Sequence, residues 1–127
     1  MTNGDPQEWL VHAESDLRIA KLGRKDPEVL LNQIAFHAQQ AVEKTLKAVL
    51  IQSQVNFPKT HDLKELLLLV QQTGRVWPSE FEKAKVLTPF AVQTRYPGYD
   101  AEITQSEVDE AIQLAERVIA WAKGEIS

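Results

Sequence analysis

A chain of 127 residues with a formal net charge of −4 and no cysteine can bury a real core without staples, because a domain of this length hides roughly two-thirds of its unfolded surface. Disulfides and thiolate zinc sites are excluded, and the acidic balance argues against a general nucleic-acid coat, which needs a basic surface to release counterions. The opening MTNGDPQEW lacks the basic and apolar regions of a signal peptide, and no apolar run approaches the ~20 residues of a membrane span. A single cytoplasmic domain over residues 1–127, away from any membrane, is therefore expected.

Asp5 and Pro6 supply an N-cap and a proline at the first helical position, where its missing N–H costs nothing. Trp9, Leu10, Ala13, Leu17 and Ala20 then fall on one face, so a first helix is predicted over residues 6–22, ended by Gly23. His12 lies off that stripe and reads as a solvated surface histidine. Asp26 and Pro27 repeat the start signal after a short turn, which favours an antiparallel pair. No further proline or glycine occurs until Pro58, so the spacing predicts one unbroken helix over 26–54. Its apolar residues, from Leu30 and Ile34 through Ala38, Val42 and Leu46 to Leu50, form a band wider than a surface helix needs. This helix reads as the spine of a bundle.

On the other side of the spine, Gln33, His37, Gln40, Lys44 and Lys47 are spaced 4, 3, 4 and 3 and share one helical line. The line carries two ammonium groups with almost no acid on it; Glu43 stands to one side, placed to pair with Lys47 at i,i+4. Two readings follow: a solvated face of a core helix, or a subunit interface or anion-binding groove.

Pro58 breaks the helical pattern, and Thr60 is the predicted N-cap of a short helix that begins at His61 and Asp62 and ends at Gly74, with Leu63, Leu66, Leu67 and Val70 inward. A cationic His61 in the first turn would oppose the helix dipole, which points to a neutral ring with Asp62 or a ligand anion near it. Beyond Trp77 and Pro78, Ser79 and Glu82 form a capping box for a helix with Phe81, Ala84 and Leu87 or Thr88 inward, ended or kinked by Pro89. The stretch PFAVQTRYPGYDAEIT follows no simple period. It places Arg95, Tyr96 and Tyr99 within five residues, side chains suited to pairing with phosphate and stacking on a base; the alternative is a structural loop whose tyrosines cover the core. Thr104 and Glu107 make a second capping box, and Val108, Ala111, Ile112, Ala115, Val118, Ile119 and Ala122 carry the 3.6 period to Gly124, with Trp121 at the edge of the stripe. The histidines are not at metal-ligand spacing and the acids are scattered, so no metal and no cofactor are expected.

In order along the chain, WLVHAESDLRIA, FHAQQAVEKTLKAVLI, KTHDL, TRYPG and a last helix ending in a tryptophan segment resemble the HEPN family, in its small form made of the helical bundle alone. The resemblance covers nearly the whole chain. It implies an all-α fold, an antiparallel up-and-down bundle of four to five helices, and a homodimer with a cleft linked to nucleotides or RNA. Many such domains are encoded beside a minimal nucleotidyltransferase and work with it as a toxin–antitoxin pair. Many are metal-independent endoribonucleases whose signature is an arginine and a histidine separated by four to six residues. Arg95 matches the arginine, but the positions where the histidine would fall are Asp100, Ala101 and Glu102. An aspartate with an ordinary pKa of about 3.9 is a poor proton acceptor for a 2′-hydroxyl.

Three functions follow. The first is a nucleotide- or RNA-binding module acting with a nucleotidyltransferase partner, in which Lys44, Lys47 and Arg95 meet phosphate, Tyr96 or Tyr99 stacks, and His37, Gln40 and His61 hydrogen-bond. The second is a ribonuclease with Arg95 stabilising the phosphorane and His37 or His61 as displaced base. The third is a dimeric interaction protein without a ligand.

Overall fold

A computed structural model describes residues 4–76, 78–90 and 103–126, with the side chains of 85–90 left aside. Its elements are helices α1 (Pro6–Arg24), α2 (Leu31–Gln52) and α3 (Leu63–Gln72), a 3₁₀ helix (Ser79–Phe90) and α4 (Gln105–Ile126). The described residues thus form the expected all-helical bundle.

Direction follows from three cross-helix contacts. Along α1 and α2, Gly23 approaches Ile34, Asp16 meets His37 and Lys44, and Trp9 lies near the Lys47 ammonium, so the two helices run antiparallel. Arg24 with Asp109, Lys21 with Glu116 and Glu14 with Lys123 give the same opposite sense to α1 and α4. Helix α2 packs on all of its neighbours, and apart from a line of half-buried residues it is enclosed along its length. Leu46, Leu50, Leu63, Leu66, Phe81 and Val118 form the main core, and Ala20, Ile34, Ala35, Val108 and Ile112 a smaller one at the end where α1 turns into α2.

Helix ends obey the capping rules at two of the predicted places. Asp5 accepts the Gln7 N–H at 2.9 Å, and Thr104 and Glu107 bond each other's backbone N–H at 3.1 and 3.0 Å, a complete capping box. Two predicted starts are displaced. Asp26 and Pro27 do not open α2; Asp26 instead accepts the Glu28 N–H in a turn, and α2 begins at Leu31 after an extended Leu30 that makes no side-chain cap. The cause lies opposite: Gly23 continues α1 rather than ending it, and a Cβ there would stand 3.2 Å from both Val29 and Ile34, so the chain needs this extra turn to fold back against a bare backbone. Likewise Asp62, not Thr60, caps α3 by accepting the Lys64 N–H, while the Thr60 hydroxyl accepts the Asp62 N–H one turn earlier. The predicted helix after Pro78 is a 3₁₀ run that continues through Pro89 to Phe90; Phe81 and Ala84 are buried as expected. Trp121 sits at the edge, edge-on to Phe81 and donating its indole N–H to the Val76 carbonyl. Trp77, the inward role of Leu87 or Thr88, and the loop with Arg95, Tyr96 and Tyr99 lie outside the described residues and side chains.

Candidate functional site

The polar line of α2 is met by two carboxylates, Asp16 from α1 and Glu43 of α2 itself. Asp16, from the middle of α1, is 7% exposed and accepts from His37 Nδ1 at 3.0 Å with one oxygen and from Lys44 Nζ at 2.6 Å with the other. Glu43, on α2 itself and 3% exposed, accepts from Lys47 Nζ at 2.9 Å, from His61 Nδ1 at 2.9 Å and from the Gln39 amide at 3.0 Å. A buried carboxylate is costly unless its lone pairs are filled, and both acids are filled this way. Since a carboxylate only accepts, each histidine donates from Nδ1.

Asp16 is thus an acid that the line's own sequence does not show. Lys44 is bound to Asp16 yet half-buried, while Lys47 is 8% exposed, paired with Glu43 as its spacing suggested, and lies 5.8 Å from the ring centroids of both Trp9 and Phe57. Lys47 is a core cation, held by one carboxylate and two aromatic faces. Nor does His61 pair with Asp62: its partner is Glu43, and Asp62 is occupied as the α3 cap. Gln39 also accepts from Gln40 at 2.8 Å and donates to the His61 carbonyl at 3.3 Å, so with the His61 ring on Glu43 the connection before α3 is tied to the spine at two points. His37 and Lys44 meet at Asp16, and Gln40 and His61 join the network of Gln39 and Glu43; the two networks make up the polar layer along α2. His12 is exposed, as expected from its place off the apolar stripe.

Asp16 is the residue that sequence reading passed over. It stands among Ala13, Leu17 and Ala20, on the buried stripe of α1, and an acid at helical spacing within an apolar face is itself a signal of a buried partner.

Two hollows flank the layer. One of about 340 Å³ is walled by Ile19, Leu22, Val29 and Ile34, with Asp26, Gln33 and His37 contributing its polar atoms. The other, about 330 Å³, is lined by Gly4, Glu8, Trp9, His12 and Lys44. Away from the site, Arg24 binds both oxygens of Asp109 at 2.6 and 3.2 Å, which holds the Asp109 carboxyl below its usual range and raises the guanidinium. Among the described residues no group of three or more histidines and acids is placed to hold a metal ion, and no helix is long and apolar enough to cross a membrane.

The model of the HEPN domain matches residues 6–126. The chain belongs to the HEPN family. Its fold is similar to the crystal structure of an archaeal HEPN homologue, with a TM-score of 0.76 and 25% identity over 98% of this chain and 99% of that one. No curated protein matches it significantly. The polar layer and its two hollows are thus features of a HEPN domain, built on the spine that carries FHAQQAVEKTLKAVLI.

Proposed function

We propose that this HEPN-domain protein binds a nucleotide or an RNA phosphate along the exposed edge of the polar layer, acting as a homodimer beside a minimal nucleotidyltransferase in a toxin–antitoxin-like pair. Lys44 and Arg95 meet phosphate, His37, Gln40 and His61 hydrogen-bond, and Tyr96 or Tyr99 stacks on the base. Lys47 belongs to the same layer but acts through Glu43, whose carboxylate it holds in place. The observation that carries this reading is the shared anchoring of two half-buried donors on one buried acid: Asp16 is 10% exposed as a side chain, His37 21% and Lys44 26%. Such a pair is fixed in place by the fold and still open to a ligand. Titration of ATP, AMP and short RNA into the wild type and a Lys44→Ala, Arg95→Ala variant tests it. Binding that the double variant loses is expected; unchanged affinity, or no binding by the protein alone or with a copurifying partner, overturns it.

A second reading has an observation of its own. The His61 side chain is 66% exposed while its Nδ1 is fixed by Glu43, whose side chain is 4% exposed, an arrangement that orients the ring with Nδ1 inward, and in its neutral form Nε2 is the proton acceptor. In a metal-independent ribonuclease this ring is the base and Arg95 stabilises the phosphorane. Cleavage of labelled RNA without metal, abolished by His61→Ala or His37→Ala, is the expected result of that reading; cleavage that survives both substitutions comes from elsewhere.

A further inference from the structure

The hollow between the end of α1 and the start of α2 differs from the rest of the polar layer in being mainly apolar. Its walls are Ile19, Leu22, Val29 and Ile34, and its volume of about 340 Å³ lies at the small end of the range for ligand pockets. Ile19 and Leu22 are 45% and 56% exposed, so these walls face open space rather than the core. Hydrogen-bonding groups are few and of three kinds: the Gln33 amide, the Asp26 carboxylate and the His37 imidazole. An amide, a carboxylate and an imidazole on one lining match the mixed donors and acceptors along the edge of a nucleobase, and aliphatic walls suit its faces.

His37 lines this hollow and Lys44 lines the other, seven residues further along α2, so their backbones are about 10 Å apart at the helical rise while their side chains converge on the two oxygens of Asp16. Apolar walls at one end and an ammonium at the other, with a shared acid fixing the distance, suit a ligand that is aromatic at one end and anionic at the other.

We infer that the Ile19–Leu22–Val29–Ile34 hollow is a nucleobase subsite, which takes the base of a nucleoside monophosphate unit whose phosphate lies toward Lys44. This rests on the reading of the Lys44 edge as a phosphate site and adds residues that give the ligand its orientation. The unit comes from a free nucleotide or from an RNA strand; the chemistry of recognition is the same.

The test is a set of parallel titrations of AMP, ribose 5-phosphate and a single-stranded adenosine trinucleotide. AMP binds the wild type at least about tenfold more tightly than ribose 5-phosphate, the difference being the base in its apolar subsite. An Ile19→Ser, Leu22→Ser variant, changed at exposed positions and neutral in charge, binds AMP and ribose 5-phosphate alike, and the trinucleotide loses the same factor as AMP. Lys44→Ala weakens all three ligands together. A trinucleotide that binds the wild type more tightly than AMP marks an RNA strand as the source; the reverse marks a free nucleotide. Equal affinity of the wild type for AMP and ribose 5-phosphate overturns the base subsite and leaves the phosphate site standing. Binding of none of the ligands removes both. Conversion of a wild-type dimer to a monomer by the double serine variant, seen in sedimentation, overturns the inference by making these walls a contact between copies of the chain.

Discussion

Two clusters of the same composition, an acid, a histidine and a lysine, lie on the two flanks of α2 and are built for different ends. Around Asp16 the acid is buried and both of its partners are partly open, at 21% for His37 and 26% for Lys44. Around Glu43 the lysine is enclosed at 9% and the histidine stands out at 66%. Identical chemistry therefore gives an accessible pair of donors on one side, and on the other a core clamp that shows solvent a single ring. Burial decides which cation stays accessible and which serves the fold, and residue type alone does not.

Removing an acid breaks the comparison most sharply. Glu43→Ala leaves the Lys47 ammonium enclosed without a carboxylate, a fault that costs about 3–5 kcal/mol, and chemical denaturation should show a loss of that size. Leu50→Ala, in the fully buried core, should cost a similar ~2–5 kcal/mol, so the clamp matters to stability about as much as a core leucine does. Asp16→Ala frees two groups that water still reaches, so the expected loss is smaller, about 1–3 kcal/mol, with ligand binding weakened alongside it.

The smallest effect is expected at Arg24 and Asp109, a surface pair on neither flank. The native Asp109 carboxyl titrates below its usual range because Arg24 hydrogen-bonds it. Its contribution is therefore complete above the unfolded carboxylate value of about 3.9 and fades as pH falls through the lower native value. Asp109→Asn should flatten the acid limb of the stability curve slightly, and added salt should shrink the difference.

Much of the bundle was legible in the chain because its helices carry local signals. The Asp5 cap, the Thr104 and Glu107 box and the apolar periods of α1 and α4 all reside within a few residues of the structure they specify. The start of α2 was misplaced because Asp26 and Pro27 satisfy the same local rule in a turn, and only the approach of Val29 and Ile34 to Gly23 decides against a helix there. The candidate site was legible in half. Spacing along α2 identified His37, Gln40, Lys44 and Lys47 and the Glu43 to Lys47 pair. It could not reveal that Asp16 arrives from α1 or that His61 reaches Glu43, since both contacts link residues 18 or more positions apart. Arg95, Tyr96 and Tyr99 lie outside the described residues, and the part proposed for them stands on the loop's chemistry.

The central claim is that Lys44 faces a ligand while Lys47 holds the fold. Measuring AMP affinity and unfolding free energy side by side for Lys44→Ala and Lys47→Met tests it directly. The account predicts that Lys44→Ala weakens AMP by about tenfold or more, the loss of one charge-assisted hydrogen bond, and costs less stability than Lys47→Met, since Asp16 keeps His37. Lys47→Met lowers stability more and leaves the affinity of the folded protein nearly unchanged. The opposite pattern, with affinity lost at Lys47 and stability lost at Lys44, would contradict it.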